Sequence, residues 1–173
     1  STLEHNVATF MFEVPLFIRA QHMRHRTWSY NEISRRYTEV DMKFYTPQGF
    51  RTQHESNRQA SKDELIDPIM HNDTPDFTAT DLVRIHHRDS LRLFHRLVSS
   101  GVCREQARGV LPQNLYTRYY GTVNLNNLLK FIDLRLHEGA QWEIQRVAEA
   151  CLDIATELWP FTVGAYRELR HEV

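Results

Sequence analysis

A single globular domain mixing strands with helices is the fold class this sequence predicts, and three observations carry the prediction. Residues 5–14 alternate, with Ala8, Phe10, Phe12 and Val14 on one face and Val7, Thr9, Met11 and Glu13 on the other. That period of two marks a half-buried strand. Val83, His87, Leu91, Phe94 and Val98 recur at helical spacing, as do Ile144, Val147, Cys151, Ile154, Ala155 and Leu158, and such stripes mark amphipathic helices. The chain has 173 residues, 41% of them hydrophobic and 25% charged, which suffices for one core and is too apolar for a disordered tail.

The remaining elements follow in chain order. Pro15 suits a first helical position, and Leu16, Phe17, Ala20 and Met23 continue at helical spacing, so a short helix is expected over 15–23. It delivers Gln21, His22 and Arg24 to its carboxyl end. An irregular stretch comes next and leads into a strand expected over 37–44. Residues 46–77 are polar and punctuated by Pro47, Gly49, Pro68 and Pro75, which predicts a long excursion with a helical turn or two around 61–70. No chemistry is identifiable there. Thr80-Asp81 caps the helix that Gly101 stops, and a further helix spans 103–111 before Pro112. Residues 116–123 read as a strand. Asn124 or Asn126 caps a helix running to about 137, with Leu128, Leu129, Ile132 and Leu136 as its buried stripe. The last helix, over 140–158, is expected to stop at Pro160. Nothing in the chain argues for an internal repeat or a second domain.

Charge narrows the function classes. The formal net charge is −1 with ten His, so the chain has no global basic field of the kind nucleic-acid binders often show. Positive charge gathers instead in residues 19–36 and at Arg104 and Arg108, which favours a pocket for a compact anion. No apolar run approaches the roughly 20 residues that span a bilayer, so no membrane partner is expected. Cys103 and Cys151 suit a reducing cytoplasm and give no metal-ligand spacing, and the His residues form no HExxH-type cluster. A cytoplasmic location and no metal site are the expectations.

The most informative stretch is Arg24-His25-Arg26-Thr27-Trp28-Ser29-Tyr30-Asn31-Glu32-Ile33-Ser34-Arg35-Arg36-Tyr37. Four guanidiniums are threaded with hydroxyls, an imidazole, an amide and a single carboxylate. Arg presents a planar fork that fits phosphate bidentately, so this composition points to a phosphorylated ligand. Glu32 amid so much positive charge can accept from a base, a ribose or a neighbouring Arg. A solvated basic face would have a similar composition, but the spelling is more specific. Arg24, His25, Arg26, Ser29, Asn31, Glu32, Ser34 and Arg36 reproduce the pattern R-H-R-x-x-S-x-N-E-x-S-x-R, and in this the chain resembles the flavin-dependent thymidylate synthases.

The resemblance extends from Ser1 to about Tyr166 and is weakest over 46–80. It implies an α+β fold, a sheet with flanking helices, in a homotetramer whose active sites are shared between subunits. It also implies an amino-terminal portion preceding Ser1. The implied reaction methylates dUMP to dTMP, with FAD as bound cofactor and NADPH and methylenetetrahydrofolate as co-substrates. For the nucleotide it implicates Gln21, His22, Met23, Arg24, Glu32, Ile33, Ser34, Arg35, Arg36, Arg108 and Arg135. For the flavin it implicates Ser1, Arg24, His25, Arg26, Glu32, Asn124, Leu125 and Asn126, and the position of Lys130, where many members carry Asn. Lys donates but does not accept, so that contact is altered here.

Some of these residues have simpler readings. Arg104 and Arg108 share a helical face and could be a solvated pair, but Val102 to Pro112 is similar to the family segment whose Arg grips the nucleotide phosphate. Asn124 and Asn126 suit helix capping. Arg135 lies on the shoulder of an apolar stripe, where a cation is paired, serves a ligand or snorkels to water; the resemblance sets it beside the uracil ring as the catalytic residue. Ser34 lacks a base and an orienting third group, so it reads as a phosphate donor, not a nucleophile. Cys151 falls on a buried stripe and Cys103 in no surrounding like a classical thymidylate synthase nucleophile. A route without a protein nucleophile is expected. The alternative is a nucleic-acid module, with Arg24, Arg26, Arg35 and Arg36 on phosphates and Trp28, Tyr30 and Tyr37 stacking on bases.

Overall fold

The computed structural model describes residues 2–34, 42–58, 60–70 and 76–171, with the side chains of 170 and 171 excepted. A 3-10 turn at Thr2–His5 leads into β1 (Val7–Pro15), α1 (Leu16–His22) and β2 (Ser29–Glu32). Four short strands follow: β3 (Phe50–Gln53), β4 (Ser61–Ile66), β5 (Ile69–Met70) and β6 (Phe77–Thr78). Then come α2 (Ala79–Ser99), α3 (Arg104–Ala107), a 3-10 turn at Arg108–Val110, β7 (Tyr116–Asn124), α4 (Leu125–Leu136), α5 (Trp142–Leu158) and α6 (Pro160–His171).

The main sheet is antiparallel in the order β1-β7-β2, with Phe10 and Tyr30 both opposite Gly121. Alternation decides which face is covered. Phe10, Phe12, Val14, Tyr119 and Val123 turn inward, while Val7, Met11 and Tyr120 stay exposed on the other side. Against the inner face lie Leu125, Leu128, Leu129, Phe131 and Ile132 of α4, and Ile144, Ala148, Cys151 and Ala155 of α5. Each large apolar side chain fully buried in this layer stabilises the fold by roughly 1.5–3 kcal/mol. Mixed helix and sheet in one domain, with helices flanking small sheets, is therefore what the chain forms.

Several expectations need correction. A strand inside the signature, β2, was not expected. Of the strand expected over 37–44, residues 37–41 lie outside the described residues, and Phe44 makes only an isolated bridge to Leu115. The helical turns expected around 61–70 are instead β4, paired with β3 in an antiparallel hairpin with a register shift between Arg51 and Gln53. Polar cross-strand pairs hold it: Arg51 reaches Asp63 at 2.6 Å and Ser61 at 2.8 Å. The α2 cap is Thr78, not Thr80. Its hydroxyl accepts from Asp81 N at 3.2 Å while the Asp81 carboxylate takes the Thr78 N–H, a capping box. Pro160 does not end the helical region. It starts α6, as a residue without an N–H can at a first helical position, and Val163 docks into the core.

Two connections position the site. Leu16 N bonds to Leu115 O at 3.0 Å and Phe17 N to Gln113 O at 3.2 Å, tying the start of α1 to the approach of β7. Asn124 caps α4, accepting from Asn127 N at 2.9 Å.

Candidate functional site

Helix α1 is too short to hold its carboxyl end alone, and the chain supplies a clamp. Met23 N bonds to Arg19 O at 2.9 Å and His25 N to His22 O at 2.9 Å. The Tyr30 hydroxyl, on β2, lies 2.9 Å from the His22 carbonyl and 3.1 Å from that of His25. These bonds fold residues 22–28 into a tight bend that carries the Arg-His-Arg motif. Arg24 and Arg26 stand exposed on it, His25 is half-buried, and Trp28 is buried at 5% exposure.

Arg135, in the last turn of α4, meets this bend. Its Nε donates to His25 Nε2 at 3.0 Å and one Nη to the Gln21 carbonyl at 3.4 Å. A guanidinium has five N–H donors, so most remain for a ligand. As an acceptor from Arg135, His25 Nε2 carries no proton. Burial, and then the Arg135 charge, hold the His25 pKa down at about 4, so the pair carries one positive charge and not two. Arg135 is thus half-buried and paired with neutral acceptors only, which leaves its charge uncompensated within the described residues.

Glu32 has a structural task. One carboxylate oxygen takes Arg19 Nε at 2.9 Å and Nη at 2.5 Å, and the other takes Thr117 Oγ1 at 2.7 Å. The signature strand is thereby tied to α1 and β7. Arg19 was not singled out from the sequence, because a contact across a bend of this length follows no fixed spacing. Gln21 was singled out, and its side chain bonds to Gln141, which in turn donates to Glu143 at 2.9 Å. Glu143 also accepts from the Tyr45 hydroxyl at 3.2 Å.

The other expected residues are distributed as follows. His22 is fully buried among Phe12, Trp28, Tyr30, Tyr119 and Phe131, with Nδ1 2.7 Å from the Tyr119 hydroxyl. Its ring belongs to the core, and its carbonyl already accepts from His25 N and the Tyr30 hydroxyl. The Leu125 side chain is likewise in the core. Met23 is half-buried, Ile33 is exposed, and Ser34 is half-buried at the end of β2. Asn126 and Lys130 lie one turn apart on α4, the first half-buried and the second exposed. Asn124, at the opposite end of α4 from Arg135, is roughly 15 Å from it along the axis. Arg108 is exposed, and its Nε donates to the Glu105 carbonyl at 3.3 Å. No hydrogen bond among the described residues joins it to Arg135. Ser1, Arg35 and Arg36 lie outside the described residues.

Two chemical conclusions follow from these positions. Trp28 is buried and offers no open face for stacking a base, while Tyr37, another ring of the nucleic-acid alternative, lies outside the described residues. Cys151 is 2% exposed and burial pushes its thiol up to about 12, so it supplies no thiolate at neutral pH. Exposed guanidiniums at Arg24 and Arg26 suit a pyrophosphate, and the Asn126 amide and Lys130 ammonium, sharing a helical face, suit the polar edge of a flavin. The donor set fits that cofactor.

An Arg-rich bend meets a helix-borne Arg beside a three-stranded antiparallel sheet, an arrangement whose chemistry suits an anion. The family described as thymidylate synthase complementing protein matches residues 1–161, and the chain belongs to it. A flavin-dependent thymidylate synthase of Thermus thermophilus is 40% identical over 168 residues, covering 97% of this chain and 59% of that protein. Another, from Aquifex aeolicus, is 45% identical over 143 residues, 82% of this chain and 43% of the relative. The chain therefore spans about half the length of these relatives. Among solved structures, a UMP/dUMP methylase PolB from Streptomyces cacaoi bound with 5-Br UMP superposes with a TM-score of 0.80 at 33% identity, covering 97% of this chain and 76% of that one.

Proposed function

We propose that this chain carries the nucleotide- and flavin-binding part of a flavin-dependent thymidylate synthase, which methylates dUMP to dTMP. Methylenetetrahydrofolate is the carbon donor and NADPH the reductant. The observation that carries the reading is the Arg135 guanidinium, held by neutral His25 and the Gln21 carbonyl with its charge unneutralised. A fixed cation near a low-dielectric wall acts strongly on charge developing beside it. At the uracil ring it stabilises the anion formed as N3 loses its proton, and so keeps the ring electron-rich.

The rest of the chain positions the reactants. Arg24, Arg36, Ser34 and Arg108 take the nucleotide phosphate, and Gln21 the base. Arg24, Arg26, Asn124, Asn126 and Lys130 hold FAD, which when bound supplies the hydride. The family names and the nucleotide analogue bound by the structural relative support this reading. The exposed Val7, Met11 and Tyr120 on the outer face of the sheet suit burial in a homotetramer.

An absorption spectrum of the purified chain, followed by NADPH oxidation with and without dUMP, tests the proposal. The expected result is a yellow protein whose oxidation of NADPH responds to dUMP. A folded protein that neither retains nor takes up FAD would overturn it.

A further inference from the structure

The polar excursion in which the sequence shows no chemistry walls a cleft of about 980 Å³, at the upper end of the roughly 300–1,000 Å³ usual for small-molecule sites. Its aromatic lining comes from three separate parts of the chain: Phe44, Tyr45 and Phe50 at and just before the start of the excursion, Tyr116 opening β7, and Trp142 opening α5. Tyr45 is braced by Phe17 at 5.8 Å and by Tyr116 at 6.4 Å. Trp142 is braced by the Arg51 and Arg146 guanidiniums at 5.9 and 5.4 Å from the ring centre. Rings braced in this way bring aromatic surface to the cleft wall at little entropic cost, which suits a ligand that carries a ring.

The lining carries two arginines, Arg51 and Arg58, and two carboxylates, Asp63 and Glu143. Its two carboxylates are engaged, Asp63 by Arg51 and Glu143 by Gln141 and Tyr45. Arg51 is neutralised by Asp63. Arg58, also on the wall, is exposed and has no ion pair or hydrogen bond among the described residues. Arg58 thus offers an unused fork of donors at the wall, which suits an anionic group on the ligand. Gln141 lies on the cleft wall and is also bonded to Gln21, so the cleft adjoins the Arg135 cluster without being part of it.

We propose that this cleft is a second small-molecule site, which takes a planar heteroaromatic compound with an anionic tail held by Arg58. Two reactants of the proposed function share that chemistry, a nicotinamide dinucleotide and a folate, and neither has residues assigned to it above. The proposal rests on that function only for the choice of these two probes.

The test is isothermal titration of the 173-residue chain with NADP⁺ and, in a separate arm, with folic acid, using wild type, Arg58→Ala and Arg58→Lys. Arg58 is exposed, so its replacement leaves the core untouched. One probe is expected to bind, the arm telling which source supplies the ligand. Its Kd should rise about tenfold or more in Arg58→Ala, the usual effect of losing a charge-assisted bond, and recover in part in Arg58→Lys. Equal Kd values in wild type and Arg58→Ala, or no binding of either probe, overturn the proposal. A parallel titration with dUMP separates the two readings. Binding of dUMP with neither probe bound removes the cleft site and spares the proposed function. An Arg58-dependent probe without dUMP binding keeps the cleft site and removes the function.

Discussion

His22 is an imidazole that the fold keeps neutral. Burial, then the charges of His25 and Arg135, lower its pKa from 6.5 to about 3, and His25 moves in the same direction to about 4. Between about pH 3 and 6.5 the folded chain binds fewer protons than the unfolded one. Stability therefore rises with pH across that window, is complete above it, and drains away on acidification. We expect Tm to fall steadily as pH drops from 6.5 towards 4, with a shallower slope in His22→Gln. The His22 imidazole resonance of the wild type should stay in its neutral form down to about pH 4. A resonance titrating near 6.5 would contradict the burial. A second expectation concerns the cysteines: Cys151→Ser and Cys103→Ser, made separately, should retain turnover, since Cys151 is buried and the proposed route uses no protein thiolate. A folded, FAD-loaded Cys103→Ser protein without dTMP formation would restore a nucleophilic route. The motif residues were legible in the sequence because their identities are chemical. Their partners were not. Arg19 on Glu32 and His25 on Arg135 are meetings across a bend and between helices, and no spacing encodes them.

At the scale of elements, the alternation of β1 and the cap of α4 were legible because burial on one face, or a capping side chain, imposes a pattern. The β3–β4 hairpin was not, since most of β4 is exposed and its residues answer to no common period. β2 was hidden for a related reason: its residues are polar for the sake of the signature. α6 was missed because Pro ends one helix and begins another with equal ease. β7 contains one position where the element depends on the absence of a side chain. A Cβ on Gly121 would lie 3.0 Å from the Phe12 ring and 3.1 Å from that of Trp28. Both rings belong to the packed wall around His22, so they have little room to give. Gly121→Ala should destabilise the chain by about 1–3 kcal/mol, the usual cost of overpacking. Chemical denaturation with an unchanged slope and a lower midpoint would register it; an unchanged midpoint would show that the wall yields.

For the whole molecule, the architecture joins a core and a site through the same residues. The aromatic wall that includes His22 stabilises the sheet against α4, and its outer edge is the bend on which Arg24, His25 and Arg26 are displayed. Among the described residues no helix is long and apolar enough to cross a membrane, and Arg24, Arg26 and Arg135 gather where the bend meets α4. The account stands on Arg135 as the cation that acts on the nucleotide, so dTMP formation by FAD-loaded Arg135→Ala, beside Arg135→Lys and wild type, tests it most directly. With FAD content and oligomeric state normal, Arg135→Ala should lose on the order of 10² or more in turnover, as sites do when one preorganised donor is removed. Arg135→Lys should fall between, keeping the charge and losing the planar fork. Wild-type turnover in Arg135→Ala would contradict the account.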